Sequence, residues 1–245
     1  MKTIGIIPAR YASTRLPGKP LKDIGGKPMI QHVYERTLRA KLIDEVIVAT
    51  DDARIVDAVE LFGGTAVMTS VEHPNGTSRA AEVVQNMDVE LIINIQGDEP
   101  LIKSEMIDEL AEVMTRDETL TSATLCYQIS EEHFPDPNVV KVVRDRNGFA
   151  LYFSRSLIPF GRDRENYKVY EHIGVYAYRK SFLLQYIELE DTPLSRAESL
   201  EQLKILEHGH RMKVVETQYS YEALSIDTQE DLDRARTIIA GRTGG

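Results

Sequence analysis

The sequence is poor in cysteine, in long apolar runs and in positive charge. Cys126 is the single cysteine among 245 residues, so no intrachain disulfide can form, and a reducing, cytoplasmic setting is expected. It follows Ala123-Thr124-Leu125 in a strand-like run and reads as a small buried apolar residue. No apolar stretch approaches ~18 residues, which argues against membrane insertion. The first residues enter a strand pattern directly, without the charged and apolar regions of a secretion signal. Lys and Arg number 29 against 39 Asp and Glu, a net charge of −10, which argues against nucleic acid or an anionic membrane surface as partner. There is no repeat, low-complexity tract or linker. Also missing are the phosphate-loop patterns G-x-x-x-x-G-K-[ST] and G-x-G-x-x-G. With 42% hydrophobic residues, the chain can bury a substantial core as one large α/β domain or two small ones.

Against this acidic background one loop stands out. The apolar run Ile4-Gly5-Ile6-Ile7 leads into Pro8-Ala9-Arg10-Tyr11-Ala12-Ser13-Thr14-Arg15-Leu16-Pro17-Gly18-Lys19-Pro20. Three cations, two hydroxyls and a glycine after a buried strand have the chemistry to hold a triphosphate. Backbone N–H groups and hydroxyls line such a loop, and Arg10, Arg15 and Lys19 neutralise the anion.

Strand and helix patterns alternate through the first half. Ile4–Ile7, Val46–Ala49, Ala66–Met68 and Leu91–Ile95 read as buried parallel strands. The amphipathic stretches Met29–Ala40, Ala53–Phe62 and Ser78–Met87 read as the helices between them, with Pro28 at one start and Gly63-Gly64 at one stop. Repeated βα units predict a doubly wound, mostly parallel sheet whose ligands bind at the carboxyl ends of its strands. The second half is mixed. Strand patterns cover Thr121–Tyr127, Val139–Arg144, Phe149–Phe153 and His172–Tyr178, with a hairpin turn at Arg146-Asn147-Gly148. Helical patterns cover Lys180–Leu189, Arg196–Glu207 and Gln229–Ile239. Phe160–Tyr170 reads as a mobile surface loop and Gly241–Gly245 as a frayed tail.

Asp98 ends an apolar strand in Gln96-Gly97-Asp98-Glu99-Pro100. A carboxylate at that position, facing a phosphate loop, suits Mg²⁺, which takes one or two carboxylates together with phosphate oxygens and water. The competing reading is a cap on the following turn. Asp227, after Leu224-Ser225-Ile226, is the candidate second carboxylate, and it reads equally as a helix N-cap. Asn75-Gly76-Thr77-Ser78-Arg79 opens a helix whose amides and hydroxyls could read a base or ribose. His172 on a strand, and Glu201 and Gln202 on a helix, read as ordinary residues when taken alone.

Taken in order, these segments resemble one family. The loop Pro8–Pro20, Gly26-Lys27-Pro28-Met29-Ile30, Ala49-Thr50-Asp51-Asp52, Gln96–Pro100, Tyr152-Phe153-Ser154-Arg155, His172-Ile173-Gly174-Val175-Tyr176, Leu200-Glu201-Gln202-Leu203 and Asp227-Thr228-x-Glu230-Asp231-Leu232 are similar to those of the 3-deoxy-manno-octulosonate (Kdo) cytidylyltransferases, or CMP-Kdo synthetases, nearly end to end. The resemblance implies a nucleotidyltransferase fold of GT-A-like type with a mixed-strand insertion. It implies one domain, residues 1–120 mainly binding nucleotide and 121–245 mainly binding the sugar acid and a second subunit of a homodimer. It implies that Arg10, Ser13, Lys19, Asn75, Gly76, Thr77 and Arg79 bind CTP. Asp98 and Asp227 would hold Mg²⁺, with Lys19 and Arg15 beside them in the catalytic group. Arg15, Gln96, Arg155, His172, Glu201 and Gln202 would position Kdo. The implied reaction is transfer of CMP from CTP to the anomeric hydroxyl of Kdo, with release of pyrophosphate.

Two positions depart from the family pattern. Ser78 and Ser195 stand where the family usually carries an acid. The sequence leaves open drift at helix starts or a changed acceptor, such as 8-amino-Kdo or a phosphonate acid. A binding-only relative is the reading from another class, and intact Lys19, Asp98 and Asp227 argue against it. A glycosyltransferase would more typically show a D-x-D, which the Gln96–Pro100 loop lacks.

Overall fold

The structure, a computed structural model, describes residues 1–13, 15–163, 167–221 and 224–243. Thr14, the middle of the Phe160–Tyr170 loop and the last two glycines of the tail lie outside the described residues.

The apolar runs form strands where continuous burial demands them. The strands are β1 (Thr3–Ala9), β2 (Asp23–Ile24), β3 (Lys27–Pro28), β4 (Glu45–Thr50), β5 (Ala66–Met68), β6 (Leu91–Ile95), β7 (Ser122–Gln128), β8 (Lys141–Arg144), β9 (Ala150–Ser154), β10 (Tyr170–Arg179) and β11 (Lys213–Glu216). The helices are α1 (Met29–Leu38), α2 (Ala53–Leu61), α3 (Gly76–Val84), α4 (Ser104–Arg116), α5 (Lys180–Tyr186), α6 (Pro193–Glu198), α7 (Leu203–Glu207) and α8 (Gln229–Thr243).

Among the described residues one sheet runs in the order β11-β7-β10-β6-β1-β4-β5, with β8 pairing β10 and β9 at its side. β1, β4, β5 and β6 are parallel, whereas β10 lies antiparallel between β6 and β7. Every residue of β1 and β6 is buried, as expected for strands covered on both faces. One face packs Ile7, Val48, Ile93 and Ile95 against Ile30 and Val33 of α1 and Met106, Ile107 and Leu110 of α4. The opposite face packs Ile4, Ile6 and Ile92 against Ala80 and Val84 of α3, Phe182 of α5 and Leu203 of α7. A third cluster joins Leu16, Met29, Leu101 and Ile226 to Leu232 and Ala235 of α8, so the last helix buttresses the loop after β1.

Three expectations need correction. The continuous helix expected over Arg196–Glu207 is broken into α6 and α7 by Ser199, which takes a left-handed conformation with φ of 53°. Helix α4 and strand β11 are present where the sequence reading assigns neither. Gly241 to Thr243, expected within a frayed tail, belong to α8. The expected hairpin turn forms, with Gly148 at φ of 75° and its N–H donating to the Asp145 carbonyl at 2.9 Å.

Candidate active site

The carboxyl ends of β1 and β6 open onto a cleft of about 400 Å³, lined by Pro8–Arg10, Ser13, Arg15, Lys19, Gly76 and Gln96–Asp98 among others. The loop after β1 closes on itself: Gly18 N–H donates to the Tyr11 carbonyl at 3.1 Å, and Leu16 N–H to Ser13 Oγ at 3.2 Å. Gly18 takes φ of 66°, a conformation suited to glycine, and it starts the 3₁₀ turn that carries Lys19. From outside, the Arg54 guanidinium stacks 3.3 Å from the centre of the Tyr11 ring, itself held by Asp52 at the start of α2. Gly97 allows β6 to approach β1: a Cβ there would lie 2.7 Å from the Pro8 carbonyl oxygen.

The topology gathers charges from distant parts of the chain. Lys19 Nζ lies 2.7 Å from Asp98 Oδ2 and 3.1 Å from Asp227 Oδ1, and an Arg15 nitrogen lies 2.9 Å from Asp227 Oδ2. Burial works against the lysine charge, yet Asp98, and after it Asp227, hold the ammonium above the usual lysine range. Asp227 is free for this because the start of α8 is capped by its neighbours. Asp231 accepts from the Asp227 and Thr228 amides at 3.1 and 2.8 Å, and Thr228 Oγ1 accepts from the Asp231 amide at 3.2 Å. The N-cap reading of Asp227 therefore fails on geometry. Two carboxylates already gathered around one cation are a donor set that Mg²⁺ would fit, leaving its other positions to phosphate and water. No larger cluster of metal-binding side chains occurs among the described residues.

A second polar group lies beyond Gln96. A Cβ on Gly76 would lie 3.6 Å from Gln96 Oε1, and one on Gly174 would lie 3.6 Å from Gln96 Cγ. Gln96 thus stands between the start of α3 and a bulge in β10 between Ile173 and Tyr176. From there the buried chain runs Asn94 Nδ2 to Thr77 Oγ1 at 3.3 Å and Thr77 Oγ1 to Glu201 Oε1 at 3.1 Å. Burial pushes the Glu201 carboxyl up, against the bond from Thr77. Among the described residues Glu201 Oε2 and Gln202 Nε2 are buried with no hydrogen-bond partner in range, and the Tyr186 hydroxyl beside Glu201 donates to its carbonyl at 3.3 Å.

His172 completes this group, and its neighbours fix its tautomer. Thr124 Oγ1 lies 2.8 Å from the Val175 carbonyl, to which its one proton goes, and 2.9 Å from His172 Nε2. His172 must then donate from Nε2, which leaves Nδ1 an acceptor. Burial pushes the ring down to about 3, so it is neutral near neutral pH.

The remaining expected residues act from the margin. Arg155 Nε donates to the Glu198 carbonyl at 2.8 Å and a terminal nitrogen to the Pro137 carbonyl at 3.1 Å, close to the Ser199 corner, while its amide donates to the Glu198 carboxylate at 2.9 Å. Asn75 spends its side chain capping α3, accepting from Ser78 N–H at 2.9 Å. Arg79, expected to help hold the cytidine, is fully buried, does not line the cleft and binds Asp51 at 2.7 Å and Thr69. Neither Ser78 nor Ser195 lines the cleft. Ser78 Oγ donates to the Asn75 carbonyl at 3.0 Å, and the Ser195 amide donates to Glu207 at 3.1 Å, so both belong to helix starts.

Residues 4–215 match the family model described as cytidylyltransferase. A 3-deoxy-manno-octulosonate cytidylyltransferase of Geobacter metallireducens is 52% identical, over 96% of this chain and 96% of its own. One from Geotalea daltonii is 53% identical with the same coverage. The chain belongs to the 3-deoxy-manno-octulosonate cytidylyltransferase family. A solved CMP:2-keto-3-deoxy-manno-octonic acid synthetase, complexed with CTP, superposes with a TM-score of 0.95 at 44% identity, covering 99% of this chain and 100% of that one. A putative glucose-1-phosphate thymidylyltransferase from Bacillus anthracis, 18% identical with a TM-score of 0.69, shares the fold alone. The nucleotidyltransferase fold expected for this cytidylyltransferase is therefore shown.

Sequence reasoning assigns no role to Tyr11 with Arg54, Asn94, Thr124 or Glu198, whose partners lie far away in the chain. Asn94, a polar residue inside an otherwise apolar strand, is the one whose pattern carried a signal.

Proposed function

We propose that this cytidylyltransferase transfers CMP from CTP to the anomeric hydroxyl of Kdo, releasing pyrophosphate, with Mg²⁺ held by Asp98 and Asp227. The observation that carries the reading is the convergence of Lys19, Asp98 and Asp227 at the carboxyl end of the sheet. The loop amides, Ser13, Arg10 and Lys19 take the phosphates, and Gly76 and Thr77 border the nucleoside. Arg10 lines the cleft with no hydrogen-bonded partner among the described residues, so its charge is available to an anion.

When bound, Mg²⁺ supplies charge neutralisation at the reacting phosphates and lowers the proton affinity of the attacking hydroxyl. Lys19 exchanges its carboxylate contacts for phosphate oxygens when the nucleotide enters. Arg15 and Arg155 attract the sugar carboxylate, for which a planar guanidinium is suited. His172 Nδ1, Glu201 Oε2 and Gln202 Nε2 supply two acceptors and a donor for sugar hydroxyls. Positioning of in-line attack and electrostatic stabilisation then account for the rate, with no covalent enzyme intermediate.

The reading extends to lipopolysaccharide or capsule synthesis in the cytoplasm by a homodimer of single-domain subunits, residues 1–120 mainly binding nucleotide and 121–245 mainly sugar acid and partner. No described helix is long and apolar enough to cross a membrane, and the exposed apolar side chains Leu151 and Phe160 on the second half favour a subunit contact there. The test is pyrophosphate release with CTP and Mg²⁺ across Kdo, 8-amino-Kdo, a sialic acid and phosphonoformate. Fast release with Kdo alone supports the reading. Release only with another acid reassigns the acceptor, and CTP binding without release from any acid overturns the assignment.

A further inference from the structure

Glu99 follows the metal-binding candidate Asp98, is buried at 8% exposure, and does not line the cleft. Its carboxylate instead accepts the hydroxyl of Tyr221, a half-buried residue on the segment that runs from β11 to Asp227. The Tyr221 ring packs edge-on against Tyr127, with centroids 5.9 Å apart, and Tyr127 donates to Glu171. A second tie lies nearer the site, where the Ile226 amide donates to the Asp98 carbonyl at 3.0 Å. Farther back, the Gln218 amide donates to Glu109 of α4 at 3.0 Å and Lys103 Nζ to Ser220 Oγ at 3.2 Å. Gln218, Ser220, Tyr221 and Ile226 are therefore each tied to the loop and helix that follow Asp98. Strand β11 pairs with β7 and bridges Phe149 through Lys213, far along the sheet order from β6. Asp98 and Asp227 therefore follow strands that are not neighbours in the sheet.

We propose that the Tyr221–Glu99 hydrogen bond is the clip that sets the separation of the two metal-binding carboxylates, making Tyr221 and Glu99 positioning residues for the divalent ion. This rests on the reading of Asp98 and Asp227 as its ligands. Neither clip residue touches substrate. Glu99 adjoins Asp98, and Tyr221 stands six residues before Asp227 in the chain.

The test compares the full-length wild type with Tyr221→Phe, Glu99→Gln, Glu99→Leu and Asp227→Asn. Two quantities are read: the Mg²⁺ half-saturation of pyrophosphate release, and Mn²⁺ binding in the presence of CTP, followed by electron paramagnetic resonance without turnover. Tyr221→Phe keeps the ring on Tyr127 and removes only the hydroxyl. The expected result is about tenfold weaker Mn²⁺ and Mg²⁺ affinity, the range found when an outer partner of a metal ligand is lost. Excess Mg²⁺ should recover kcat, and the KM for Kdo should not change. Glu99→Leu should match Tyr221→Phe, while Glu99→Gln, whose amide oxygen still accepts from Tyr221, should retain near wild-type metal affinity. A merely structural bond would lower thermal stability and leave metal affinity alone. Wild-type affinity in Tyr221→Phe, with affinity lost in Asp227→Asn, would overturn the clip and leave the metal site standing. Wild-type affinity in Asp227→Asn as well would overturn the metal reading and the clip with it.

Discussion

Lys19 and Asp98 meet at 2.7 Å across the mouth of the parallel sheet, and the same ammonium reaches Asp227 at 3.1 Å. The lysine thus sits where two carboxylates would otherwise repel one another, and where a divalent ion would bind. Lys19→Met should strengthen Mg²⁺ binding in the absence of CTP, because the competing internal cation is gone. It should also raise the KM for CTP by about 10- to 100-fold, the loss expected for a hydrogen bond to a charged group. Thermal unfolding with and without Mg²⁺ checks the first effect: the variant should gain more from the ion than the wild type does. An equal gain in both proteins would mean that Lys19 does not occupy the ion's place.

Asp98→Asn preserves shape but removes one of the two charges. Turnover should fall at least about 100-fold, in line with the loss of one preorganised electrostatic contact at a reacting group. The fold should persist, because the Asp98 side chain is 25% exposed at the cleft margin and its carbonyl tie to Ile226 is unaffected. Steady-state kinetics beside near-ultraviolet dichroism separates the two effects. Near wild-type kcat in a folded variant would remove Asp98 from the catalytic group.

Much of this arrangement is legible in the sequence, for physical reasons that also mark where legibility stops. Strands β1 and β6 are buried on both faces and so appear as apolar runs, interrupted in β6 by Asn94, which places the Arg10–Lys19 loop and Asp98 at one end of the sheet. Helix α4 is legible as well, with Met106, Ile107, Leu110, Ala111 and Met114 buried at helical spacing, although the sequence reading assigns no helix there. The Ser199 corner is not: the apolar period runs on through it, and a left-handed serine has no strong local signature. The Lys19–Asp227 contact joins residues 208 positions apart, and no local pattern encodes it. Packing of Leu224, Ile226 and α8 against Leu16, Met29 and Leu101 helps to bring Asp227 there.

Gly97 is fixed by backbone, not by a flexible neighbour. An alanine Cβ at 2.7 Å from the Pro8 carbonyl oxygen must push the β1 and β6 ends apart. Gly97→Ala should destabilise the protein by about 1–3 kcal/mol, as overpacking of a tight contact does. It should also raise the KM for CTP, because Pro8, Gly97 and Asp98 line the same cleft. Gly174→Ala is the control: its Cβ would meet only Gln96 Cγ at 3.6 Å, an ordinary contact. Urea denaturation of both variants reads the difference. Equal stability in the two would show that the β1–β6 approach yields without cost.

Burial of His172 bears on acid stability. Its ring is buried on β10 between Phe153 and Tyr176, with centroids 5.0 and 5.4 Å away, and burial pushes it down to about 3 in the folded protein. In the unfolded chain the ring titrates near ~6.5. Between these two values the unfolded state binds the extra proton, so stability must decline as pH falls through the window. The slope from this group is at most about 1.4 kcal/mol per pH unit. Above the unfolded value both states are neutral and the contribution is constant. His172→Gln cannot take up that proton, so its stability should fall less steeply from about pH 6.5 toward 4, measured as urea midpoints, even if the variant is less stable at neutral pH. Parallel acid limbs in wild type and variant would mean that His172 is already protonated in the folded protein. That result would also remove Nδ1 as an acceptor for a sugar hydroxyl, since a charged ring donates from both nitrogens.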